Sequence, residues 1–174
     1  MKFRFAFPLI GVLALAGCAE APSNKIAPTQ RLALSHITLE PDQARRMINS
    51  YRAGRGLKPL KLEKHLTRAA RLHSQDLAKS DRISHKGSDG SDPWGRVKST
   101  GYRPRLAAEN VGAGQMSFAE VLQGWKESPG HNRNLLLADA TQMGIALETN
   151  PGSKYQTFWT LVLGKPAKPV LAAR

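Results

Sequence analysis

Apolar and polar positions change rhythm several times along this chain, and each change marks an element. From Pro41 the apolar residues Ala44, Met47, Ile48 and Tyr51 recur at helical spacing, one stripe of a helix that Gly54 and Gly56 bring to an end. A second helix is predicted over 63–79. Its buried stripe is Leu62, Leu66, Ala69, Ala70, His73 and Leu77, so His73 is expected as a hydrogen-bonded core residue. Asp92-Pro93 supplies an N-cap and a first-turn proline for a short helix ending at Gly101. Ser117 and Glu120 have capping-box spacing, and Phe118, Val121, Leu122 and Trp125 mark the inner face of the helix they begin. Pro129-Gly130 is expected to stop that helix and deliver His131 on a loop.

Strands are predicted at about 107–113, 143–149 and 155–163. In the last, Tyr155, Thr157, Trp159 and Leu161 alternate with Gln156, Phe158, Thr160 and Val162. Both faces carry bulk, as a strand covered by helices on both sides requires. Asn150-Pro151-Gly152-Ser153 makes the turn before it. Helices before, between and beside a small sheet predict an α/β fold, a three-layer α/β/α sandwich. One domain over 39–164 accounts for these elements, and 165–174 reads as a disordered tail.

The first residues have another character. Lys2 and Arg4 precede an apolar run, Phe5 to Ala16, that is too short to span a bilayer, so 1–17 reads as a secretory signal. The run ends in Leu15-Ala16-Gly17-Cys18, which matches a bacterial lipobox. Cys18, the only cysteine, is thereby expected to carry the lipid, and no disulfide within the chain remains to be formed. Ala19 after it resembles outer-membrane sorting, which implies a domain in the cell envelope, facing the periplasm. Residues 18–38, with Pro22 and Pro28, read as lipidated cysteine and tether; about 20 flexible residues reach roughly 25 Å. Leu32, Leu34, Ile37 and Leu39 also suit a docked strand.

The formal charge is +13, and losing Lys2 and Arg4 with the leader leaves 24 basic residues against 13 acidic ones, or +11. Such a surplus suits anionic headgroups or acidic glycans. The composition argues against nucleic acid as a partner, since no motif interleaves the basic residues with aromatics.

Candidate chemistry lies in Ser84-His85-Lys86-Gly87, Ala108-Glu109-Asn110-Val111 and the run from Trp125 to Asn132 that contains Ser128 and His131. Neutral imidazoles bind divalent metals, and a carboxylate beside them can ligate, orient a water or take its proton. His85 and His131 are 46 positions apart, so spacing alone does not join them. No Gly-x-Ser-x-Gly elbow, free thiol or phosphate-binding Gly-Lys-Ser/Thr loop is present.

The order of these motifs, followed by Gly144-Ile145-Ala146-Leu147, resembles the CAP superfamily, also called the SCP domain, over about 41–164. Asp89-Gly90, Arg96 and Gly101-Tyr102 support it. The resemblance implies a small, mainly antiparallel central sheet and a cleft gathering His85, Glu109 and His131, with Asn110 and Ser128 as further ligand-binding candidates. It also implies a divalent metal, zinc or magnesium, held by His85 and His131. Many members carry a second glutamate three residues after the tryptophan; here that position is Ser128. Glu127 is adjacent, but about 100° of helical rotation should turn it elsewhere. Three readings stay open: a lipid-anchored protein binding a lipid or envelope glycan, a hydrolase using a metal-bound or Glu109-activated water, and a structural envelope factor.

Overall fold

The computed structural model describes residues 32, 34 and 36–168. The leader, Cys18, most of the tether and residues 169–174 lie outside the described residues. Described helices are α1 (Pro41–Ala53), α2 (Lys64–Ser80), α3 (Pro93–Ser99), α4 (Phe118–Glu127) and α5 (Pro129–Leu135). Strands are β1 (Lys61–Leu62), β2 (Pro104–Ala113), β3 (Gln142–Thr149) and β4 (Thr157–Pro166). They form one sheet in the order β1-β3-β4-β2. Only β1 runs parallel to its neighbour; β2 and β3 pair antiparallel with β4. Among the described residues, no helix is long and apolar enough to cross a membrane.

Strand alternation divides the core in two, because successive side chains leave opposite faces. Met143, Ile145, Trp159, Leu161 and Leu163 pack with Ala44 and Ile48 of α1 and Val121, Leu122 and Trp125 of α4. Ala146 and Val162, on the other face, pack with Leu66, Ala69 and Ala70 of α2 and Val97 of α3. The three layers expected from sequence are present.

Two buried details fix the layers. Arg52 of α1 is fully buried with no carboxylate partner among the described residues, and its guanidinium donates to the carbonyls of Lys58, Leu135, Leu137 and Ala140. It ties α1 to the chain entering β3. Gly144 lets α2 lie directly on β3: a Cβ there would overlap the Leu66 carbonyl carbon and the Thr67 nitrogen.

Several expectations need correction. Pro129-Gly130 does not lead into a loop. Ser128 is extended and Pro129 opens α5, so His131 sits in a helical first turn; proline has no N–H to continue α4, yet its fixed φ suits a new helix start. β1 was too short to show a period. It exists because Lys61 N donates to Thr141 O and Glu63 N to Met143 O. Lys165 and Pro166 belong to β4 rather than to a tail, paired with Leu106 and Pro104. Ile37 and Leu39 pack on the core without joining the sheet.

Candidate functional site

The site is built on β2, the edge strand beyond β4. Neighbouring residues of a strand point to opposite faces, so Glu109 and Asn110 serve different layers. Glu109 lies opposite Val162 and faces α2 and α3. Asn110 lies opposite Leu161 and faces α4 and α5. The pair therefore reaches around both sides of the edge.

Glu109 is buried, its side chain 2% exposed, and each oxygen is held. Oε1 accepts from His85 Nδ1 at 2.9 Å, and Oε2 accepts from Arg96 Nη2 at 2.8 Å. His73 Nε2 lies 3.5 Å from Oε1 and donates to the Ser84 carbonyl at 2.8 Å. Burial holds His73 below the usual histidine range, outweighing the upward pull of Glu109. A neutral ring donating from Nε2 answers both the geometry and the titration.

These groups also shape the loop that carries His85. Arg96 donates to the carbonyls of His85 and Ser91, while His73 holds that of Ser84. The imidazole of His85 is thus fixed from behind, its side chain still 53% exposed. With Nδ1–H directed at the carboxylate, it is Nε2 that faces outward, and in the neutral ring Nε2 carries the lone pair. An orienting carboxylate of this kind sets the tautomer of metal-binding and base histidines.

Asn110 is fully buried. Its Nδ2 donates to the His131 carbonyl at 3.0 Å, and its Oδ1 accepts from Asn134 Nδ2 at 2.9 Å. Asn134 also donates to the Glu109 carbonyl at 3.0 Å. Tyr51 of α1 donates to Asn132 Oδ1 at 2.7 Å. The first turns of α5 are thereby pinned to the strand edge and to α1. His131 is half-buried, and its ring makes no hydrogen bond with a described residue. Burial lowers its pKa first, and the nearby charge of His85 lowers it further.

Of the residues singled out in the sequence, His85, Glu109 and His131 share this neighbourhood. Asn110 lies beneath it, placing His131. Ser128 ends α4 and precedes α5 without a side-chain cap bond. Glu127 turns away, accepting from Gln123 at 2.7 Å. Cys18 lies outside the described residues. Sequence reasoning missed the roles of Arg96 and His73 toward Glu109. The signal was faint: an arginine in a seven-residue helix and a histidine on a buried stripe.

Metal chemistry is constrained by this donor set. Both oxygens of Glu109 are engaged, and among the described residues no group of three or more His, Cys, Asp or Glu side chains is arranged around one point for a metal. Two imidazole nitrogens, His85 and His131, are the donors offered. They suit zinc, whereas magnesium prefers oxygen ligands.

Comparison with known proteins places this geometry. The model of the cysteine-rich secretory protein family, CAP, matches residues 45–163. The uncharacterized protein YkwD of Bacillus subtilis is 33% identical over 99 residues, 57% of this chain and 38% of that protein. The uncharacterized membrane protein YlbC of Bacillus subtilis is 24% identical over 102 residues, 59% of this chain and 30% of that one. The chain thus matches well under half the length of these curated relatives. Among solved structures, an extracellular protein of Bacillus anthracis containing a SCP domain superposes with a TM-score of 0.64 at 26% identity, covering 72% of this chain and 40% of that one. An outer surface protein of Borrelia burgdorferi superposes with a TM-score of 0.66 at 20% identity, covering 72% and 92%; that likeness is one of fold.

Proposed function

Since the chain belongs to the cysteine-rich secretory protein, or CAP, family, we propose that it is an extracytoplasmic, lipid-anchored binding protein that holds a lipid or envelope-glycan ligand at the His85–His131 edge of its sheet. Anchoring is assigned to Cys18, and the compartment to the outer membrane facing the periplasm. Zinc would suit the two imidazoles and would be held by His85 and His131. It would supply a positive centre for an anionic or carbonyl oxygen of the ligand.

The observation that carries this reading is the divided loyalty of Glu109. One oxygen accepts from His85 Nδ1 while the other is held by Arg96, which fixes the orientation of an outward imidazole and withdraws the acid from the surface. Glu109 then orients and does not itself meet the ligand. Asn110 has the same standing, acting on His131 through its carbonyl.

The test is zinc titration calorimetry on the purified full chain, followed by ligand screening with phospholipids and peptidoglycan fragments. Zinc affinity is expected to fall at least tenfold in His85→Ala and in His131→Ala. Unchanged affinity in both variants removes the basis of the site.

One observation favours a second reading, hydrolysis. An imidazole backed by a carboxylate is also the arrangement of a general base. In that reading His85, rather than Glu109, takes the proton of an attacking water. Hydrolysis of peptidoglycan or peptide that survives His85→Gln in folded protein argues against it.

A further inference from the structure

The outer surface of the α2/α3 layer has a composition that the site does not explain. Its inner side chains fill the core against Ala146 and Val162. Outward, Leu72 and Trp94 are 45% and 42% exposed, among the largest apolar side chains left uncovered. Trp125 and Trp159, by contrast, are buried.

Cations flank both anchors. A cavity of about 590 Å³ beside Leu72 is lined by Arg68 and Arg71, with Glu63 as its carboxylate. Glu63 is directed at the α2 N-terminus, accepting from Leu66 N. A second cavity of about 430 Å³ is lined by Trp94, Lys98 and Arg103, and no acidic residue lines it. A third brings Leu72 alongside Gly95 and Ser99 of α3, the chain neighbours of Trp94 and Lys98, with Asp76 and Asp89 on its other side. Acids at its margin are each engaged locally: Asp76 accepts from Ser88 N, Asp89 from Ser91 N and Asp92 from Gly95 N.

We infer that this face docks directly on an anionic lipid bilayer, with Trp94 and Leu72 at headgroup depth and Arg68, Arg71, Lys98 and Arg103 on the phosphates. An indole is at home where one edge is apolar and the other wet, and long cationic side chains reach the phosphates while their stems lie along the apolar boundary. A nucleic acid would use the cations but leave Leu72 without purpose. The inference is independent of the anchor at Cys18: it specifies which side of the domain meets the membrane.

The assay is tryptophan emission of the full chain bearing Cys18→Ser, mixed with vesicles of phosphatidylglycerol or of phosphatidylcholine. The apolar leader can reach any vesicle, but residues 1–17 contain no tryptophan. With two tryptophans buried, Trp94 is the one able to report docking of this face. A blue shift is expected on phosphatidylglycerol vesicles, absent on phosphatidylcholine and reversed by high salt. Trp94→Ala abolishes the shift, while unchanged near-ultraviolet circular dichroism shows that Trp125 and Trp159 remain packed. Lys98→Glu with Arg103→Glu, retaining Trp94, lowers the apparent affinity at least about 25-fold, from about fivefold per cation near such a surface.

No shift on phosphatidylglycerol overturns the inference. So does an equal shift on phosphatidylcholine, which makes the contact purely apolar. An equal shift with inorganic phosphate alone overturns it too, because the site then takes a free anion and not a surface.

Discussion

Glu109→Gln tests the organising bond of the site. The carboxylate accepts from His85 Nδ1 at 2.9 Å and from Arg96 Nη2 at 2.8 Å, within a side chain 2% exposed. Glutamine offers one acceptor oxygen and one NH2 group, so with the oxygen on one donor the other either faces an NH2 or, if it is His85, must move its proton to Nε2 and give up the outward lone pair. The charge of Arg96, whose side chain is 9% exposed, loses its counterion as well. Removing one partner of a buried pair costs about 3–5 kcal/mol, because the other charge stays desolvated. If the amide oxygen turns to Arg96, His85 is released, and loss of such an orienting contact weakens metal binding about 10- to 100-fold. Urea unfolding and zinc calorimetry measure the two effects separately. Adding Arg96→Met to Glu109→Gln removes the stranded charge but also the bonds to the His85 and Ser91 carbonyls, so the double variant should not restore zinc affinity, and the non-additivity of the two stability losses measures the pair. A loss below about 1 kcal/mol in the single variant, or unaltered zinc affinity in folded protein, would refute the reasoning.

Other expectations are reached from the same structure. Arg52→Met leaves the carbonyls of Lys58, Leu135, Leu137 and Ala140 without their buried donor; at about 1–3 kcal/mol for a stranded group, a destabilisation above about 3 kcal/mol is expected in urea, and a neutral result would contradict it. Gly144→Ala forces apart α2 and β3, whose backbones meet there, with a loss of about 3 kcal/mol or failure to accumulate folded protein. Acid should weaken the fold through His73. Its folded pKa is depressed below 6.5, so the unfolded chain takes the proton first, and the stabilisation present above about pH 6.5 is lost as pH falls through the folded value. Melting temperatures measured downward from pH 7 should drop in the parent chain and drop less in His73→Gln. Asn110→Ala removes two side-chain bonds that place His131, and zinc affinity should decline with little change in the His85 ring signals seen by NMR.

Periodicity carried much of the fold because burial dictates it. The α2 stripe from Leu66 to Leu77 and the two-faced β4 could be read directly, as could the Asp92 and Ser117 caps, which accept from Gly95 N and Glu120 N. The two-residue β1 could not, since its pairing answers to Thr141 and Met143 far along the chain. The α4-to-α5 break was legible as a break and illegible as a restart, because Pro129 serves either outcome. The family resemblance put His85, Glu109 and His131 together. It did not reveal that Glu109 belongs to Arg96 and His73 as much as to His85. Buried polar partnerships leave no periodic trace; Arg52, a cation on an otherwise apolar stripe, is the plainest case.

The alternation at Glu109 and Asn110 has a consequence for how this chain can change length. A single-residue insertion or deletion just before the pair would reverse its parity, sending the amide toward Arg96 and the acid toward α5. Both imidazoles would lose their settings at once, although no residue of the site had been substituted. Steps of two would preserve the arrangement. The register shift between Pro104 and Leu106 is the place where an odd residue is already absorbed, at the entrance of the strand and upstream of everything that depends on it.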